Sequence, residues 1–126
     1  MPKFSEESKR RLSTCDVRLQ VLFNKVIEGI DCTILCGHRG KEEQDKAYAE
    51  GNSKLLFPHS KHNKMPSRAV DVMKYPIEWE NDKANDFFAG YVMGVAAMLG
   101  LKVIWGGNWK TIVDKPHFEI AEDTQE

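Results

Sequence analysis

The apolar positions of this chain change period along its length, and the changes divide it into elements. Over 82–99, Phe87, Phe88, Tyr91, Val92, Val95, Ala96 and Leu99 recur at steps of three and four, which predicts a helix that Gly100 stops. Val17, Leu19, Leu22, Phe23, Val26 and Ile27 draw a similar stripe after Asp16, a suitable N-cap, and it runs to Gly29. A shorter helix is predicted over 5–14, with Ser5 as N-cap and Glu6 and Glu7 complementing its first turn. The polar segment GKEEQDKAYAEGNS predicts one more short helix, with Gly51 at its end.

Elsewhere the pattern is that of short strands. DCTILCG is an apolar run closed by glycine, RAVDVMKY alternates, and LKVIWGG and HFEIA follow near the C-terminus. Residues 52–67 form a long polar loop containing Pro58 and Pro66, and loops of that length are functional or disordered. YPIEWEND reads as a turn-rich connection, and the tail EDTQE is expected to fray. Early helices with short interspersed strands predict an α+β fold, helices packed on a small, mostly antiparallel sheet, in one domain spanning 1–126.

Composition narrows the partners. With 18 basic against 19 acidic side chains there is no excess of positive charge, which argues against a nucleic-acid partner. No apolar run is long enough to span a membrane, so no membrane anchor is expected. The N-terminal MPKFSEESKRRL lacks the apolar stretch of a signal peptide, which predicts synthesis in a cytoplasm, and a monomer is the simplest expectation. Three cysteines cannot all pair within one chain. Cys32 and Cys36 share parity with Ile34 and read as buried reduced thiols, and Cys15 as a packing or helix-end residue.

The chemistry lies in four histidines and their neighbours. His62 sits in the long loop, and Asp71 interrupts the apolar strand between Val70 and Val72. A carboxylate buried there requires a cation, a metal or several donors. His117 opens the last strand, and two imidazoles with one carboxylate make a three-ligand zinc set that leaves a fourth position for water. Asp114, three residues before His117, is placed to move a proton, although Asp-Lys-Pro also fits a turn. Arg39, at the end of a strand, suits a substrate carboxylate or an oxyanion, or an ordinary surface position. Trp105 and Trp109 of WGGNW are placed to wall a groove or to make a tight turn.

Ser60-Lys61-His62, Ala69-Val70-Asp71 and Asp114-Lys115-Pro116-His117-Phe118-Glu119 together resemble the D-Ala-D-Ala metallopeptidase family. Cys36-Gly37-His38-Arg39-Gly40 with Gln44 after it is similar to that family's Ser-Gly-Tyr-Arg segment and downstream Gln, and WGGNW to the Trp-Gly-Gly-Asp-Trp run of its phage endolysins. The resemblance covers residues 30–120 and implies the hedgehog/D,D-peptidase-like fold. It implies that His62, Asp71 and His117 hold Zn2+, that Asp114 is the acid/base, that Arg39 stabilises the developing charge, and that Ser60 holds the loop. Ser60, Gln44, Trp105 and Trp109 are the substrate-binding candidates.

The activity implied is hydrolysis of a peptidoglycan stem peptide. The absence of a signal peptide and the WGGNW segment favour a phage or prophage endolysin cutting L-Ala–D-Glu. Such an enzyme is made in the host cytoplasm and acts on the cell wall after release. A D-Ala-D-Ala carboxypeptidase or dipeptidase is the enzyme alternative, and a zinc-stabilised binding or virion-associated module of the same fold the other. This chain departs from the family in placing eight residues between His62 and Asp71, where six including a glycine are common, and His59 stands as the alternative ligand. His38 takes the usual place of Tyr, and Asn108 that of Asp.

Overall fold

The computed structural model describes residues 2–111 and 113–122. It contains helices α1 (Glu6–Leu12), α2 (Val17–Gly29), α3 (Lys41–Ala49) and α4 (Asp82–Met98), and strands β1 (Cys32–Cys36), β2 (Ala69–Lys74), β3 (Val103–Trp105) and β4 (His117–Ile120). The strands form one sheet in the order β1-β2-β4-β3, and every neighbouring pair is antiparallel. The α+β architecture expected from the hydrophobic pattern is therefore the one observed. A single 3-10 turn at Lys61–Asn63 lies in the long polar loop, and another at Gly106–Asn108 ends the strand that LKVIWGG was expected to carry through both glycines. Most of the tail expected to fray, residues 123–126, lies outside the described residues.

The helix boundaries follow their caps. Ser5 Oγ accepts from the Ser8 amide at 3.1 Å, Asp16 Oδ1 from the Arg18 amide at 2.8 Å and Asn81 Oδ1 from the Ala84 amide at 3.1 Å. Gly100 stops α4 by taking φ +74°, a left-handed conformation that only glycine adopts at little cost.

Helices α2 and α4 cover one face of the sheet. Leu19, Leu22, Phe23 and Val26 from α2, and Phe88, Val92 and Ala96 from α4, pack with Ile34, Val70, Val72, Phe118 and Ile120 in one apolar cluster. Phe23 and Phe118 meet edge to face at 5.5 Å between ring centroids. Phe87, part of the stripe read from the sequence, is exposed instead; the buried stripe of α4 runs through Asn85, Phe88, Ala89, Val92 and Ala96. Helix α1 covers the open edge of β1, where the Ile34 amide donates to Ser8 Oγ at 3.0 Å and Arg11 Nη1 donates to the Ile34 carbonyl at 3.1 Å.

The register sets the positions of the functional side chains. Asp71 of β2 lies opposite His117 of β4 on one side and Cys36 of β1 on the other. The pairing of β1 and β2 shifts between Ile34 and Cys36. That irregularity breaks the parity on which a buried Cys36 was expected, and the thiol is partly exposed while Cys15 and Cys32 are buried.

Candidate metal centre and active site

Alternation along two adjacent strands builds the site. Val70 and Val72 point into the core, so Asp71 points to the opposite face; Phe118 and Ile120 do the same for His117 and Glu119. His62 comes from the long loop. Ser60 caps the 3-10 turn that carries it, accepting from the His62 amide at 3.2 Å. The Arg39 amide donates to the His62 carbonyl at 2.8 Å, and Asn63 Nδ2 donates to the Arg39 carbonyl at 3.0 Å, which fixes the loop to the end of β1. The extra length between His62 and Asp71 leaves as an exposed excursion over Lys64, Met65 and Pro66, closed by the Arg68 amide on the Lys61 carbonyl at 3.1 Å. His62 thus reaches Asp71 despite the longer loop, while His59 stays exposed.

His62 Nε2 and His117 Nδ1 each lie 3.3 Å from Asp71 Oδ1. The outer nitrogens are committed elsewhere. His62 Nδ1 is 2.8 Å from the Gly37 carbonyl, which can only accept, so that nitrogen carries the proton. His117 Nε2 is 2.7 Å from Glu119 Oε1 and donates to it. In their neutral forms both rings therefore present a bare nitrogen toward Asp71. His62 Nε2 and Asp71 Oδ1 are buried and have no hydrogen-bond partner.

These orphaned atoms fit a metal ion. Two donors about 2.0–2.1 Å from a tetrahedral ion stand roughly 3.3 Å apart, the spacing seen from Asp71 to each imidazole, and the donor types suit zinc. Among the described residues two groups of donor atoms have metal-binding spacing, Cys36/His62/Asp71 and Asp71/Asp114/His117, and they share Asp71. Cys36 Sγ lies 3.9 Å from His62 Nδ1, on the side of the ring already engaged by Gly37, and is absent from the cavity wall. Of these donors His62, His117 and Asp114 line a cavity, and Asp71 lies behind His62 and His117 at 3.3 Å from each.

The electrostatics agree. Burial opposes charge on His62, but the Asp71 carboxylate outweighs it and pushes the imidazole up to about 10. Burial also opposes the charge on Asp71, yet the His62 charge and the bonds from His117 and His62 hold it well below the usual carboxylate range. His117 is raised in the same manner, burial being overcome by Asp71 and Glu119. Metal-free, the site gathers protons where a cation would sit. Asp114 moves the other way from Asp71: burial, followed by the nearby Asp71 charge, raises its carboxyl above the ordinary value.

A cavity of about 170 Å³ opens over this cluster, walled by His62, His117, Asp114, Arg39, Trp109 and the 52–55 segment among others. Asp114 Oδ2 lies 3.9 Å from His117 Nδ1. The Arg39 guanidinium is mostly buried, with Nη2 4.0 Å from Asp71 Oδ2 and Nε without a partner. The Trp109 ring lies 4.9 Å from that of His117 and Ser60 also reaches the wall. Gly106 permits the close packing of this side: a Cβ there would collide with the Asp114 carbonyl and lie 3.0 Å from His117 Cβ.

Gln44 and Trp105 are not brought to the cavity. Gln44 is 0% exposed, and its amide donates to Ser53 Oγ at 2.9 Å and the Leu55 carbonyl at 2.6 Å while accepting from Asn63 Nδ2 at 3.2 Å. Trp105 donates from Nε1 to the Lys115 carbonyl at 2.7 Å and packs against the core. Neither lines the cavity, although Ser53 and Leu55, which Gln44 holds, do. Glu119 was missed as a site residue; an acidic residue two after His117 in an apolar strand carries the same signal that singled out Asp71.

The computed structure is similar to the crystal structure of the Serratia marcescens L-Ala D-Glu endopeptidase ChiX, with a TM-score of 0.79 and 27% identity over 94% of this chain and 90% of that one. Fold and site together define an α+β peptidase with a candidate metal centre. More particularly, residues 1–124 match the family model described as phage L-alanyl-D-glutamate peptidase, and the chain belongs to that family. Among the described residues no helix is long and apolar enough to cross a membrane.

Proposed function

We propose that this chain is a zinc-dependent endopeptidase that hydrolyses the L-Ala–D-Glu amide of peptidoglycan stem peptides, acting on the cell wall after release from the host cytoplasm in which it is made. The family supports the bond, as does the likeness to an L-Ala D-Glu endopeptidase. The observation that carries the metal is the buried, partnerless pair His62 Nε2 and Asp71 Oδ1, with His117 Nδ1 beside them. His62, Asp71 and His117 would hold the ion. Zinc, when bound, supplies Lewis acidity that polarises the scissile carbonyl and makes a water acidic near neutral pH.

Asp114 accepts a proton from the attacking water and returns it to the departing amine, leaving a carboxyl on L-Ala and a free amine on D-Glu. Its raised proton affinity and its place on the cavity wall support that role. Arg39 stands by the cluster as a cation for the charge that develops on the carbonyl oxygen. Trp109 bounds the groove beside His117. Ser60 holds the His62 turn, Gln44 holds the 52–55 wall from behind, and Trp105 ties the end of β3 to the Lys115 carbonyl.

Incubating the purified protein with peptidoglycan sacculi tests this reading. Mass spectrometry of the released fragments is expected to find new amino termini on D-Glu, EDTA to stop their appearance and zinc to restore it. Cleavage at another amide, or cleavage that persists in EDTA, overturns it.

A further inference from the structure

Glu119 divides its carboxylate between two partners. Oε1 takes the proton of His117 Nε2 at 2.7 Å, and Oε2 pairs with Lys61 Nζ at 2.9 Å. Lys61 Nζ also donates to the Ile120 carbonyl at 3.3 Å, so the ammonium is held against β4 by two contacts. Both members of the pair are largely shielded, with 24% of the Lys61 side chain and 12% of that of Glu119 exposed.

Lys61 is also the residue before His62, and its carbonyl closes the excursion that separates His62 from Asp71. The two histidines are therefore joined by a second route that bypasses Asp71. It runs from His62 through one peptide unit to Lys61, across the ion pair to Glu119, and on to the outer nitrogen of His117. The His62 turn has just one turn of 3-10 helix to stiffen it, whereas His117 stands in a paired strand.

We propose that Lys61 is a positioning residue of the metal centre: acting through Glu119, it sets the ring of His117 and moors the loop of His62 together. The inference rests on the metal-site reading above. A carboxylate that accepts from a liganding imidazole fixes the ring's tautomer and orientation and strengthens it as a ligand. A shielded carboxylate keeps its charge at low cost only beside a cation, and Lys61 is that cation. Lys61 thus supports His117 from a distance and His62 through the chain.

Zinc affinity measured by competition with a chromophoric chelator tests it, on the intact protein and on Lys61→Met, Glu119→Gln, the double variant and Lys61→Arg. Thermal unfolding in EDTA monitors the fold separately. Each of the first two is expected to weaken zinc binding about 10–100-fold. The double variant is expected to lose no more than Glu119→Gln alone, because Lys61 acts through Glu119. Lys61→Arg, which keeps the cation, is expected to recover most of the loss. Wild-type affinity in Lys61→Met, additive losses in the double variant, or a lowered unfolding midpoint in EDTA with affinity unchanged would each overturn the role. An unmodified protein that takes up no zinc would instead bring down the metal-site reading, and this inference with it.

Discussion

Val72 and Asp71 are neighbours in β2, as Phe118 and His117 are in β4, yet the members of each pair live in opposite chemistries. On the helix-covered face Val70, Val72, Phe118 and Ile120 are apolar side chains held by shape among α2 and α4. On the other face Asp71, His117 and Glu119 are held by partners that can be counted atom by atom. One face lowers the free energy of folding by removing apolar surface from water. The other leaves His62 Nε2 and Asp71 Oδ1 buried and partnerless, a cost that the packed face offsets and a bound ion would remove.

The largest effects should come from the site face. Asp71→Asn keeps the shape and removes the charge that both imidazoles face, so zinc uptake and release of peptide fragments from sacculi should both be lost. Far-UV circular dichroism in EDTA should stay that of the parent, because Asp71 lies outside the apolar cluster. Loss of secondary structure would show that the two faces are not separable. Next comes Asp114→Ala, expected to lower the cleavage rate about 10²–10⁴-fold with zinc content unchanged. Loss of zinc in that variant would move Asp114 from proton transfer to metal binding.

Val72→Ala is the converse change one residue away. It should cost about 2 kcal/mol of stability in urea unfolding, from lost transfer energy and the cavity left behind, and leave zinc affinity in the folded protein at the parent value. A large fall in affinity would mean that the core face tunes the ligands directly.

The same alternation explains what could be read from the sequence. AVDV and HFEI alternate so regularly that the odd carboxylate and imidazole announce themselves, and the helical stripes with Ser5, Asp16 and Gly100 at their ends fix the helices. What resisted reading depends on distant partners. Gln44 sits in a helix with hardly an apolar residue, and its burial is decided by Ser53 and Leu55 in a loop whose path no pattern reveals. Trp105 and Trp109 look alike in WGGNW; the 3-10 turn between them sends one indole to the Lys115 carbonyl and the other to His117. Cys36 was misjudged because a register shift in β1 leaves no trace in composition.

A last test separates the faces by pH. In metal-free protein His62 rises from an ordinary 6.5 to about 10. A raised imidazole contributes stability that is fully present below the unfolded value and is lost as pH climbs through the folded one, here from roughly 6.5 to 10. His117, raised in the same direction, adds to the loss. Cys15 and Cys32 on the packed side, pushed up to about 12 by burial, also cost stability in alkali, but with or without metal. The difference between unfolding midpoints in zinc and in EDTA therefore isolates the site. It should widen as pH rises from 6.5 to 10, because proton and metal compete for the same pair of imidazoles and only the proton is withdrawn. A gap that stays constant over that range would mean that His62 and His117 do not trade protons for metal, and the division of labour between the two faces would have to be redrawn.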